Sequence, residues 1–413
     1  MLDPSLPAPS DLLARARRLT PKLTAWRRHL HAHPELSFAE HETQRYLERE
    51  LAALGATSRR IAGTGVLVEI AGGAPGPCVA LRADLDALPI QEVEGRSYGS
   101  QVPGVMHACG HDVHTACALG ATALLLESRR RLRGTIKVIF QPGEELLPGG
   151  ATQVIADGAL EHPRVERIVG LHVAPALPVG TYGVRAGDYM ASADEVRIAL
   201  TGDGGHGALP HQHVDLVATA AQMLVGLQQV VSRKAPPDVP TVLSFGRIAS
   251  RGGATNVLTD RVELEGTFRT YDEDWRERAH GLIADICAST ARSLGAGCEV
   301  DIARGYPALH NDRDTTATVR AALGALAGGW EGGRVVDLAL RPTAEDFAWY
   351  LREVPGCFFR LGVGNERAGI TAGVHTPGFD VDEACLPLGA AGLATAARAL
   401  LRELAADRSA SQR

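Results

Sequence analysis

No stretch of this chain approaches the roughly 20 uninterrupted apolar residues of a membrane-spanning helix, so no membrane span is expected. The opening residues, MLDPSLPAPSDLL, lack a cationic start followed by an apolar core, so no secretory signal is expected either. There is no basic stripe. The formal net charge is -6 and the pI is near 6.2, which argues against a nucleic-acid partner. Cysteines are few: seven, an odd number, without the spacing of a disulfide framework. A cytoplasmic chain with reduced thiols is the simplest reading. Six of them (Cys78, Cys117, Cys287, Cys298, Cys357 and Cys385) lie in apolar or neutral surroundings and read as buried filler. Cys109 does not. What is present is ordinary for a globular protein: 45% hydrophobic and 22% charged residues over 413 positions, long enough for two domains. Almost all the cations are arginine, which suits pairing with carboxylates.

The first third alternates helical and strand-like segments. Residues 11–32 and 40–54 carry helical spacing, and Gly55 is a plausible stop for the second. GVLVEIAG, CVALRADLDALP, TIKVIF and RIVGLHV read as strands. Asp112–Ser128 and ATQVIADGAL read as helices. This alternation predicts a central α/β sheet covered by helices. Near residue 188 the order becomes β-α-β-β-α-β, the split βαβ arrangement, over about the length of a compact domain. The expected architecture is therefore a mixed α/β catalytic domain made of 1–187 and 307–413, with a ferredoxin-like lid or dimerisation domain inserted at 188–306. The polar tail after Ala405 is expected to fray.

Five segments carry metal-capable side chains where strands or loops end. In MHACGHDVHTA, Cys109 and His111 flank a glycine, and a tight turn there lets a thiolate and an imidazole reach one centre. The plainer reading is a buried thiol and an exposed histidine. In IKVIFQPGEELLPGG, Glu144 and Glu145 follow a strand. One of the pair can bind metal while the other faces the reacting centre, and the residues alone leave open which. A solvated acidic turn is the alternative. His172 closes an apolar strand in GLHVAP, His375 lies in the Gly/Pro-bounded loop TAGVHTPGF, and Asp84 and Asp86 share one side of LRADLDALP. Together these supply a thiolate, imidazoles and carboxylates, a mix that suits Zn²⁺, with Mn²⁺, Co²⁺ or Ni²⁺ as competitors.

With the further segments WRRHLHAHPELSF, GGHGALPH, TNVLTDRVELEGTFR and AEDF, the chain resembles the M20 metallopeptidase clan, most closely its amidohydrolase branch of aminoacylases, hippurate hydrolases and indole-acetyl-amino-acid hydrolases. The motifs run from residue 26 to 379. The resemblance implies a two-metal site held by Cys109, His111, Glu145, His172 and His375. It implies Glu144 as general base and acid, and Asp86 as a supporting carboxylate. Asp84 stands where the wider clan has a histidine ligand, which leaves its role open, and Asp112 is a second-ranked ligand candidate. By the same resemblance His206 stabilises the oxyanion, often from the partner subunit of a dimer, and Asn256 and Arg269 contact substrate. The plainer reading of Arg269 is a strand-surface arginine. His31, His33, His211 and His213 read as accessory loop or helix-surface histidines. The implied activity is cleavage of the amide bond of small N-acyl amino acids by a homodimer or dimer of dimers. A dipeptidase, an N-acetyl-diaminopimelate-type deacetylase and a catalytically silent metal-binding scaffold are the competing readings. An intact Glu144 beside the five ligand candidates argues against the last. PGEE, LLPGGA, NVLTD and HTP depart from the usual branch pattern without removing a chemical group.

Overall fold

A computed structural model describes residues 8–252 and 254–411; the first seven residues of the segment read for a leader lie outside them. The chain forms two compact units. One runs to Gly187 and includes His310–Ala339 and the residues from Asp346 onward. The other is Asp188–Leu309 with Leu340–Glu345, a return to this unit that the sequence pattern does not reveal.

The first unit is built on a mixed eight-stranded sheet. Its strands in chain order are β1 (Ser58–Ile61), β2 (Gly65–Ala71), β3 (Ala74–Asp84), β4 (Arg133–Gln141), β5 (Arg167–Pro178), β6 (Thr181–Val184), β7 (Arg334–Asp337) and β8 (Gly356–Gly364). Their order across the sheet is β1-β2-β4-β3-β5-β8-β6-β7. The central pairs β4–β3, β3–β5 and β5–β8 are parallel. Parallel strands are covered on both faces, which is why β3 and β4 read as near-continuous apolar runs. Helix His111–Ser128 is almost wholly buried, and its Leu119 and Leu124 share one core with Val138, Leu171, Phe359, Leu393 and Leu400. A Cβ at Gly120 would meet Leu23 Cδ2 at 2.5 Å and Ala390 Cβ at 2.7 Å, so glycine lets this helix lie close against its neighbours.

Two expectations change. The segment 11–32 is two helices, Pro9–Arg18 and Thr20–Ala32, because Pro21 belongs in a first turn, where its missing N–H costs nothing. The tail does not fray at Ala405: the final helix continues to Ser411, with Arg408 paired to Glu166 at 2.9 Å. That helix also contains an 18-residue window of mean hydropathy 1.5, long and apolar enough to cross a membrane, but 89% of the window is buried inside the protein, as befits a core helix.

The second unit follows the order strand Asp194–Thr201, helix Leu216–Gln229, strands Thr241–Ser250 and Arg261–Thr270, helix Glu273–Ser293 and strand Gly297–Arg304. The strands make one antiparallel sheet whose centre is 261–270 beside 194–201. Its core joins Val196, Ile198 and Leu264 to Met223, Trp275 and Ile283. Asp215 and Asp272 cap the two helices by accepting from Ala218 N and Trp275 N.

Candidate metal centre

The parallel strands of the first unit deliver their C-terminal ends to one place. β3 ends at Asp84, level with Gln141 of β4, and Arg82 pairs with Gly170 of β5, which brings His172 level with Asp84. Sites in α/β sheets form at this edge. His172 does not close its strand, however: β5 continues to Pro178. The Cys109–His111 turn arrives at the same edge. Gly110 has φ +83°, and a Cβ there would lie 2.6 Å from Val173 Cγ2, so both backbone and space require glycine.

Cys109 Sγ sits at the centre. His172 Nε2 and His375 Nε2 each lie 3.3 Å from it. His375 Nε2 is 3.2 Å from Glu145 Oε1, and His111 Nε2 is 3.8 Å from the same oxygen. Three overlapping groups, Cys109/His111/His172, Cys109/Glu145/His375 and His111/Glu144/Glu145, bring their donor atoms within 4.8 Å of one another. Among the described residues, His111 Nε2 is buried and has no hydrogen-bond partner. A buried imidazole nitrogen is not normally left so. Among a thiolate, two other imidazoles and carboxylates, it fits a divalent metal ion.

The far nitrogens of His111 and His172 are anchored. His111 Nδ1 donates to Asp86 Oδ1 at 3.2 Å, and Asp86 Oδ2 also accepts from Ser37 Oγ and Glu145 N. His172 Nδ1 donates to Val173 O at 2.8 Å, which leaves Nε2 a bare lone pair. Such anchoring fixes tautomer and ring direction. Burial, reinforced by Arg360, holds His172 well below the ordinary histidine range, so it stays neutral. Burial also opposes a proton on His111, but Asp84 and Asp86 overcome it and push the group up to about 10. Burial, with Glu145 and Glu144 nearby, raises the Cys109 thiol well above its usual value. A cation in this pocket would reverse that balance, since it favours thiolate over thiol.

Glu144 is buried and accepts from Asp346 N at 3.4 Å. Asp84 is engaged on both oxygens, by Arg82 Nη1 at 2.7 Å and His114 Nδ1 at 2.5 Å, and its Oδ2 is 3.7 Å from His111 Nε2. Asp112 belongs to none of the close donor groups; its Oδ2 accepts from Arg27 Nε and His31 Nδ1. His31 is therefore no surface histidine but fully buried, held between Asp112 and Glu92. His33 and His211 are exposed and His213 is half-buried.

His206, Asn256 and Arg269 lie on the second unit. His206 is exposed and pairs across a two-residue ladder with Val257, so Asn256 is its neighbour. Its Nδ1 accepts from Ala208 N at 3.1 Å, which leaves Nε2 as the protonated nitrogen. Asn256 is exposed, and Arg269 donates to Pro342 O at 3.3 Å.

The sequence reading misses the residues that orient the site. His114, one helical turn from His111, spans the gap between Asp84 and Val173 N. Its i+3 spacing was the available signal. Arg82 ties Asp84 to Gln141 Oε1 at 2.9 Å and Asp346 Oδ1 at 2.5 Å. Only its place one step before the Asp84/Asp86 pattern hints at this.

The family profile for peptidase family M20/M25/M40 matches residues 80–399. The N-acetyl-L-cysteine deacetylase of Bacillus subtilis is 40% identical over 370 residues, 89% of this chain and 85% of that protein. The N-acyl-L-amino acid amidohydrolase of Geobacillus stearothermophilus is 42% identical over 290 residues, 70% of this chain and 78% of that protein. The crystal structure of the Bacillus subtilis YXEP protein, described as a dinuclear metal binding peptidase from the M20 family, superposes with a TM-score of 0.81 at 35% identity, covering 94% of this chain and 99% of that one. The chain belongs to peptidase family M20/M25/M40 and is a hydrolase of amide bonds.

Proposed function

We propose that this protein is a metal-dependent amidohydrolase that cleaves the amide bond of N-acyl amino acids, with Cys109, His111, Glu145, His172 and His375 holding two divalent metal ions. The observation that carries the reading is Cys109 Sγ at 3.3 Å from two histidine nitrogens, beside a buried and partnerless His111 Nε2. The donor mix favours zinc, with manganese, cobalt and nickel as competitors. The names of the deacetylase and amidohydrolase relatives support the substrate class.

When bound, the metals supply acidity to an attacking water and polarise the substrate carbonyl. The chain's own residues do the rest. Glu144 takes the proton of the water as it attacks the carbonyl carbon, and later delivers it to the departing amine nitrogen. Asp86 holds His111 in the tautomer that presents Nε2. His206 donates from Nε2 to the oxyanion, while Asn256 and Arg269 contact the substrate, Arg269 through its carboxylate in fork geometry. A homodimer in the cytoplasm, with the second unit as lid or dimerisation domain, completes the proposal. All seven cysteines are free thiols, as a reducing compartment would keep them. The test is turnover on matched N-acetyl, N-benzoyl and dipeptide panels with added metal. N-acyl amino acids should be the preferred substrates, and exclusive cleavage of dipeptides would refute the substrate class.

A further inference from the structure

The chemistry assigned above leaves the ionic network around Arg27 without a task. Arg27 is fully buried and reaches three carboxylates: Nε to Asp112 Oδ2 at 2.9 Å, Nη2 to Asp380 Oδ1 at 2.9 Å and Nη1 to Glu383 Oε1 at 3.3 Å. Asp112 is the residue after His111, and Asp380 lies five residues beyond His375. A second path runs in parallel. Asp112 accepts from His31, whose other nitrogen meets Glu92 at 3.0 Å. Glu92 accepts from Arg96 at 2.6 Å, and Arg96 donates to Gly378 O and Phe379 O, each at 2.7 Å. Both paths start at the turn that carries Cys109 and His111, and both end on the loop that carries His375.

That loop needs holding. His375 has φ +62°, a backbone region costly to a residue with a side chain, and its side chain is 51% exposed. Residues 375–377 are exposed, so apolar packing does not fix them. Main-chain bonds from His375 N to Ala108 O, Val93 N to Pro377 O and Phe379 N to Thr376 O set the course of the loop, and the buried Phe379 seats its return. A bidentate guanidinium on two consecutive carbonyls, backed by a buried one on Asp380, fixes the return rigidly.

We propose that Arg27 and Arg96 form a strap that holds the His375 loop at binding distance from the Cys109–His111 turn, and that the strap sets the affinity of the metal that uses His375. Both arginines are positioning residues: their hydrogen bonds go to Asp112, Asp380, Glu383, Glu92 and the carbonyls of Gly378 and Phe379, none of them a metal donor proposed above. The inference rests on the metal reading above.

The test is calorimetric titration of metal-free protein with Zn²⁺, with Co²⁺ as a spectroscopic probe. Wild-type protein should take up two equivalents. Arg96→Met and Asp380→Asn should bind the first nearly unchanged and the second roughly 10- to 100-fold more weakly. Arg96→Lys, which can still reach one carbonyl, should fall between. Far-UV circular dichroism should be unchanged in all three, and the Cys109 thiolate-to-cobalt charge-transfer band should persist with the first equivalent. Two equivalents bound at wild-type affinity in both Arg96→Met and Asp380→Asn would overturn the strap alone. Wild-type protein that binds no metal would overturn the metal reading and the strap with it.

Discussion

At the residue scale, one buried thiol is shared. Cys109 faces His172 on one side and His375 on the other, both at 3.3 Å. On the proposal above this thiol serves both metals, and a donor used twice is disproportionately sensitive. Cys109→Ser should therefore lose both metals rather than one, as elemental analysis of the purified variant would show. Full occupancy in that variant would remove the thiol from the centre. The two adjacent glutamates divide differently. Glu145 Oε1 lies among the imidazoles, whereas Glu144 is buried beside Asp346 N. Glu144→Gln preserves shape but removes the proton acceptor. It should retain its metals and lose kcat by about 10²- to 10⁴-fold, the range for a general acid–base group. Steady-state kinetics with parallel metal analysis would check both halves of that statement.

At the element scale, the turn into helix His111–Ser128 is the most constrained piece of backbone. Gly110→Ala would force a side chain into φ +83° and against Val173 Cγ2 at 2.6 Å. A cost of about 1–3 kcal/mol follows, with metal loss, measurable by denaturant melting with and without metal. In the second unit the start of strand Asp194–Thr201 carries a buried carboxylate. Burial alone would raise Asp194, but hydrogen bonds from Arg276 and His280 outweigh it and hold the group at about 2. Its unfolded value is near 3.9. A depressed folded value means the stabilisation, about 2–3 kcal/mol, is complete above pH ~5 and is lost as pH falls towards 2. Stability measured between pH 5 and 2 should fall less steeply in Asp194→Asn than in wild type. That variant should also be about 3 kcal/mol less stable at pH 7, because Arg276 loses its buried partner.

The elements also show what can be read in advance. Cys-Gly-His and Glu-Glu are contiguous, so the chain itself announces them, and apolar periodicity is enough to place β3, β4 and helix His111–Ser128. What orients them is not contiguous. His111 depends on Asp86, 25 residues back, and His114 on a main-chain N–H 59 residues ahead. Periodicity tells which face a residue occupies, not which atom it will meet. His31 shows the same limit. Polar spacing suggests a surface histidine, yet Asp112 and Glu92 satisfy both its nitrogens and permit full burial.

At the scale of the whole molecule, the chain spends residues 188–309 on a separate unit between the segments that carry His172 and His375. The proposed donor atoms thus come from both sides of a long insertion, and the sheet edge reunites them. The final helix contributes none of the proposed donors, and its buried apolar length packs in the same core. On the proposal above, the Cys109 cluster holds the metal that makes the protein an amidohydrolase. The most direct measurement is hydrolysis of an N-acyl amino acid by chelator-treated protein as metal is titrated back. No turnover is expected without metal, and activity should rise until about two equivalents are bound. Undiminished hydrolysis by the metal-free protein would overturn the metal-dependent reading.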